Sequence, residues 1–203
     1  TTPHDHRTAL VEQANAIYTE FMNVPDSKKL LEFMGMRLSA VPEENDVVHD
    51  LLAFLAERII EMNKVNNAEI KGFLRWLEGE IGASIEDLTN KTAIREYYRS
   101  GFDSLADALA KNNKKLKEGY DPTRREPKED LQAEFNASVG KLAPLLKRIE
   151  LTDKLIDQIV YRLYGLTEDE VKIIEESITV GKGNKSDEEQ KNPFIVETLS
   201  TKK

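Results

Sequence analysis

Val48, Leu52, Leu55, Ile59 and Met62 recur at alternating steps of four and three. That spacing draws one apolar stripe down a helix and begins as a heptad seam. Past a polar waist at Asn66 and Asn67 the stripe resumes with Ile70, Phe73, Leu77 and Ile81. The spacing predicts one helix over Asn45–Ile81. At 1.5 Å per residue such a helix spans roughly 55 Å, longer than a small domain is wide. It is unable to cover its own stripe, so other helices must lie along it.

Composition points the same way. Leu, Ala, Glu and Lys dominate the 203 residues, with only 10 Gly and 7 Pro, which favours helix. Cysteine is absent, which rules out a disulfide framework and thiolate-held zinc or iron–sulfur centres. It also suits a cytoplasmic protein, and that location is the expected one. No apolar run approaches the 18 or so residues of a membrane span; residues 51–56 form one of the longest. The N-terminal segment, with Asp5 and Glu12 among few basic residues, lacks a signal peptide's pattern. The net charge of -8 argues against a surface uniformly suited to nucleic acid. Charge must therefore be read locally.

A first helix carries Leu10, Ala14, Ile17 and Phe21 and ends before Pro25, and a second runs over about 27–40. Pro42 separates it from the long helix, and Gly82 is placed as that helix's C-terminal cap. Residues 84–92 read as a helical turn and a new start, with Thr92 able to cap the next helix. From Phe102 a helix passes through Leu105, Leu109 and Leu116 to a turn at 119–122. Another starts near Pro127, with a kink expected between Gly140 and Pro144. Thr152 and Asp153 start a further helix that Gly165 stops. Thr167 and Glu170 match a capping box for a last helix through Val171, Ile174 and Ile178. The expected fold is all-α, an extended antiparallel helical bundle with a coiled-coil-like long helix. Its segments are an N-terminal helical pair (1–43), the long helix and its cap (44–99), helices packing back (100–178) and a mobile tail (179–203).

Several constellations have the letters of a site without its geometry. His4 and His6 share one side only in an extended segment and have no third ligand at a defined spacing, so a polar chain end accounts for them. Pro25-Asp26 with Glu69-Ile70-Lys71 spells a metal-dependent nuclease centre, but Glu69 and Lys71 diverge on a helix. Residues 181–186, Gly-Lys-Gly-Asn-Lys-Ser, lack the spacing of a phosphate loop. No catalytic residue, metal ligand or cofactor site is expected in this chain.

Two features remain. Gly72, Trp76 and Gly79 fall on one helical face, and two glycines flanking the single tryptophan predict a packing notch where another backbone crosses closely. Residues 91–128 hold ten basic against six acidic side chains, +4 within a chain of -8, which leaves -12 elsewhere. Lys111, Lys114, Lys115, Lys117, Arg124, Arg125 and Lys128 are the candidates for contact with DNA phosphates, which need mobile cations and little else. An ordinary solvated face is the alternative.

Three runs resemble a known family. They are Val48-His49-Asp50-Leu51-Leu52-Ala53-Phe54-Leu55-Ala56-Glu57; Glu69-Ile70-Lys71-Gly72-Phe73-Leu74 continuing to Leu88-Thr89-Asn90-Lys91-Thr92; and Thr152-Asp153 through Ile156-Asp157-Gln158-Ile159-Val160-Tyr161-Arg162-Leu163-Tyr164-Gly165-Leu166-Thr167. Together they are similar to the C-terminal helical region of bacterial adenine-specific DNA methyltransferases, including the type IIG restriction-modification enzymes. The third run is the most specific. The resemblance implies a non-catalytic part that supports a target-recognition domain. Its partners would be that domain and the methyltransferase domain of one parent chain, with S-adenosylmethionine bound in the parent. It further implies DNA contact through the basic segment and no membrane. The family's methyl-transfer motif, Asn-Pro-Pro-aromatic, is only mimicked by Asn192-Pro193-Phe194, which lacks the second proline. A free-standing helical interaction or dimerisation module is the rival expectation.

Overall fold

The computed structural model describes residues 2–183. It is all-α among those residues: α1 (His4–Asn23), α2 (Lys28–Leu38), α3 (Asn45–Ile81), α4 (Lys91–Arg95), α5 (Tyr97–Ser100), α6 (Phe102–Lys111), α7 (Arg125–Leu163) and α8 (Glu168–Gly183). Short 3-10 turns lie at Ile85–Asp87 and Asn113–Lys115. The chain divides into two compact units, Thr1–Gln158 and Ile159–Lys203. Helices α1 and α2 pack on each other and both pack on α3.

Within the first unit α3 carries two cores. Its N-terminal half buries Val47, Val48, Leu51 and Leu55, and α1 and α2 pack there with Leu10, Ala14, Tyr18, Phe21, Leu30, Phe33 and Met34. Leu51 takes the buried place that the heptad reading gave to Leu52, which is only partly covered. Two neighbours at 47 and 48 are both buried because helices flank α3 on two sides, and a 3.6-residue repeat serves that wider face. The C-terminal half contributes Phe73, Leu77 and Ile81 to a larger cluster with Ile94, Tyr97, Leu105, Leu109, Leu131 and Phe135. Between the cores Ile60 and Val65 are exposed, while Asn66 is buried with no hydrogen bond to its Oδ1. Of the polar waist, Asn66 therefore stays on the buried stripe and Asn67 faces out.

The long helix α7 runs antiparallel to α3. Phe135 and Tyr97 have ring centroids 5.9 Å apart, and Phe73 stacks on Tyr97 at 4.0 Å. Lys141 reaches Glu69 at 3.2 Å. Farther along, Thr152 accepts a 2.8 Å hydrogen bond from Tyr18, whose ring meets Phe54 edge-on at 5.6 Å. Rising numbers on α7 thus meet falling numbers on α3.

One expected break does not occur, and an unexpected one does. Thr152 is fully buried inside α7, and its hydroxyl donates to the Arg148 carbonyl at 2.8 Å. A threonine starts a helix when its oxygen caps free amides; here the same group bonds back one turn and the helix continues. The helix from Phe102 stops at Lys111, and Leu116 reaches the core from beyond a separate 3-10 turn. Thr92 likewise lies inside α4, whose N-cap position is the left-handed Asn90. Pro144 sits within α7.

Other local expectations are met. Gly82 is left-handed at φ 65° and donates to the Glu78 carbonyl, closing α3. Thr167 and Glu170 form the capping box, with the Glu170 amide donating to Thr167 Oγ1 at 3.3 Å and the Thr167 amide to Glu170 at 2.8 Å. The helix α8 runs to Gly183, so the first residues of the expected tail are helical and the rest lies outside the described residues. No described helix is long and apolar enough to cross a membrane.

Charged groups fasten the start of α1 to the start of α3. The Thr2 hydroxyl donates to Asp46 at 2.6 Å, and Arg7 donates two 2.6 Å bonds to Asp50. The Thr2 bond is the main cause holding Asp46 below the ordinary carboxylate range, and the Arg7 bond does the same for Asp50. A carboxyl whose folded pKa is depressed contributes stability above its unfolded pKa and loses it as pH falls through the folded value. Thermal midpoints should therefore drop from about pH 5 to pH 3, and Asp50→Asn should flatten that drop. Superimposable pH profiles for the two proteins would show that the pair contributes nothing.

Candidate functional site

The expected phosphate-contact segment runs from the end of α6 into the first turn of α7. Asn112, 2 % exposed, organises it: its Oδ1 accepts from the Thr89 amide (2.9 Å) and hydroxyl (3.0 Å). Its Nδ2 donates to the carbonyls of Thr89 (2.9 Å) and Ala108 (2.8 Å). With all four bonds made, the chain leaves α6 sharply, and Leu116 and Tyr120 turn inward. Burial pushes the Tyr120 hydroxyl up to about 12, so it stays neutral. The lysines between these anchors face outward.

Several of those cations already have protein partners. Lys115 Nζ donates to the Asp87 carbonyl at 2.7 Å. The Lys117 amide donates to the Ile81 carbonyl at 2.8 Å, its Nζ lies 3.7 Å from Glu80, and its stem covers Gly82. Arg124 approaches Asp121 at 3.6 Å, and Arg125 donates to Glu129 at 2.7 Å. Lys111, Lys114 and Lys128 are exposed and have no carboxylate partner among the described residues. The freely available charge is smaller than the count of basic residues implied.

The packing notch is not formed. Gly72 and Gly79 are exposed, and a Cβ built on either meets nothing within 4 Å. Trp76 is half-buried, with its ring 5.7 Å from Phe73, beside the core and not under a crossing backbone. Paired glycines can mark a close approach or a solvent-facing position, and the sequence does not distinguish the two. Glu69 and Lys71 do diverge: Glu69 pairs with Lys141, and Lys71 faces a different neighbourhood. Among the described residues no three His, Asp or Glu side chains converge as metal ligands. Asn192, Pro193 and Phe194 lie outside the described residues.

Sequence reasoning missed an open cleft of about 200 Å³ beside α3, where Lys71, Leu74, Arg75 and Glu78 face Ile85, Glu86 and Arg95. Glu78 accepts from the Ser84 hydroxyl (3.2 Å) and the Ile85 amide (2.9 Å), which folds the segment after Gly82 back against α3. Arg95 donates to Glu86, and Lys91 lies 3.4 Å from the same carboxylate. The Arg95 bond is the foremost cause holding Glu86 below its usual range, so it remains an anion. Lys71 and Arg75, one turn apart, have no carboxylate partner among the described residues. Their i, i+4 spacing was readable in the sequence; the opposite wall, from a turn and a five-residue helix, was not.

A family model described as a domain of unknown function, DUF8810, matches residues 46–160. The chain belongs to that family. The DUF8810 match begins at the start of α3 and ends within α7, so it contains both cores' share of α3, the Asn112 anchor and the whole cleft. Comparison with curated proteins and with solved structures gives no match.

Proposed function

We propose that this chain is a non-catalytic brace, the C-terminal helical region of an adenine-specific DNA methyltransferase of the type IIG restriction-modification kind. The observation that carries the reading is the antiparallel course of α3 and α7, bridged at one end by Tyr97 of α5 between Phe73 and Phe135 and at the other by Tyr18 of α1 between Phe54 and Thr152. Two long helices fastened at both ends make a stiff strut, a form suited to holding another domain in place. The resemblance of the runs at 48–57, 69–92 and 152–167 to such methyltransferases supplies the identity of what is held. Exposed Lys111, Lys114 and Lys128 supply cations for phosphates of bound DNA. S-adenosylmethionine would bind in the parent's catalytic domain.

The test has three parts. Labelled S-adenosylmethionine and mixed-sequence DNA, incubated with this chain alone, should give no transfer above a boiled control. The gene upstream of Thr1 should encode a Gly-rich cofactor motif and Asn-Pro-Pro-aromatic. Deleting the helical region from that longer protein should abolish DNA binding and spare cofactor binding. Transfer by the chain alone, or an upstream sequence without those motifs, overturns the reading.

A further inference from the structure

We infer that the cleft between α3 and the 85–95 segment is a binding site for a phosphate oxyanion. The inference rests on the brace reading only where the phosphate belongs to DNA. Lys71 and Arg75 project from one face of α3, Arg95 lines the opposite wall, and Lys91 lies 3.4 Å from the Glu86 carboxylate there. Three cations, Lys71, Arg75 and Arg95, thus line the cleft with two carboxylates, Glu78 and Glu86. The Glu78 oxygen that accepts from Ser84 and Ile85 is committed to the loop. Glu86 already behaves as an internal anion on Arg95 and Lys91, which shows that the cationic wall accepts an oxyanion. Nothing comparable occupies Lys71 and Arg75 across the cleft.

Shape and charge agree on the ligand. A cleft of about 200 Å³ admits one tetrahedral oxyanion with part of an attached sugar. Leu74 and Ile85 offer an apolar floor to that sugar. Walls of low polarizability around several like charges focus the field and raise the local concentration of anions. An arginine fork matches two phosphate oxygens, and a lysine adds a point charge. The same chemistry fits a free phosphate and a backbone phosphate of nucleic acid.

The test uses the full chain and three variants: Lys71→Gln with Arg75→Gln, Glu86→Gln, and Lys111→Gln with Lys114→Gln and Lys128→Gln. All the replaced side chains are exposed, so circular dichroism melts should stay close to the parent's. Inorganic phosphate binding is followed by NMR shifts of the Ile85 and Arg95 amides, and duplex DNA binding by affinity over a salt series. Losing Lys71 and Arg75 should weaken phosphate binding about tenfold or more. Releasing Arg95 and Lys91 through Glu86→Gln should tighten it roughly threefold to tenfold. If the phosphate is DNA's, the double variant also lowers the log–log salt slope by up to about 1.8. Phosphate binding that responds as stated, with a DNA slope that does not, assigns the cleft to a free phosphate. The inference is overturned if no variant alters phosphate binding, or if only the Lys111 triple variant alters either ligand. The latter result would leave the brace reading intact.

Discussion

Tyr97→Ala should lower stability by about 3–5 kcal/mol, the range for removing a large buried aromatic. Tyr97 is fully buried at the meeting point of α3, α5 and α7. Its ring stacks on Phe73 at 4.0 Å, meets Phe135 edge-on at 5.9 Å, and touches Tyr98 at 5.6 Å. Its hydroxyl lies 2.6 Å from Ser138 Oγ, also buried. Alanine would therefore open a cavity between three helices and leave Ser138 without that partner. Against a total of about 5–15 kcal/mol, such a loss brings the chain near its unfolding threshold. Tyr97→Phe keeps the stack and should cost only about 1 kcal/mol. Urea melts of both variants give the comparison; a loss below about 1 kcal/mol for the alanine form would show that the helices do not meet on this ring.

The second large effect has the opposite sign. Gly72, Gly79 and Gly140 all lie in helices, and at none does an added Cβ meet an atom within 4 Å. Each helix-interior glycine is about 1 kcal/mol worse than alanine, and nothing in the folded chain offsets that. The sites are separate enough to add, with Gly79 contributing less because it is near the end of α3. The triple alanine variant should gain roughly 2–3 kcal/mol, which raises the melting midpoint by roughly 5–10 °C at this chain length. A fall in the midpoint would mean that a neighbour does cross this face, as the paired glycines around Trp76 first suggested.

The features that were legible in the sequence share a cause. Val48 and Leu55 in α3, Gly82 as its cap, and Thr167 with Glu170 are governed by neighbours within one or two turns. Thr152 was misread because its hydroxyl serves equally as a cap or as a back-bond to Arg148, and only burial against Tyr18 selects the second. Gly72 and Gly79 were misread for a similar reason, since a glycine records permitted space and not occupied space. The basic segment was over-counted because partners for Lys115 and Lys117 come from Asp87 and Glu80, more than 25 positions away. The cleft was missed because Arg95 is brought opposite Lys71 and Arg75 by a turn whose direction depends on Glu78.

The bond between Tyr18 and Thr152 joins residues 134 positions apart, and this separation bears on how the chain is made. Translation proceeds at about 5–20 residues per second, so roughly 7–27 s pass between synthesis of the two partners. Helices α1 to α3 assemble from nearby contacts within that interval, because local pairings close quickly. The face around Tyr18 nevertheless waits for α7. For those seconds the nascent chain presents an apolar surface that the finished protein hides, and its chief hazard is aggregation on the ribosome before the last long helix arrives.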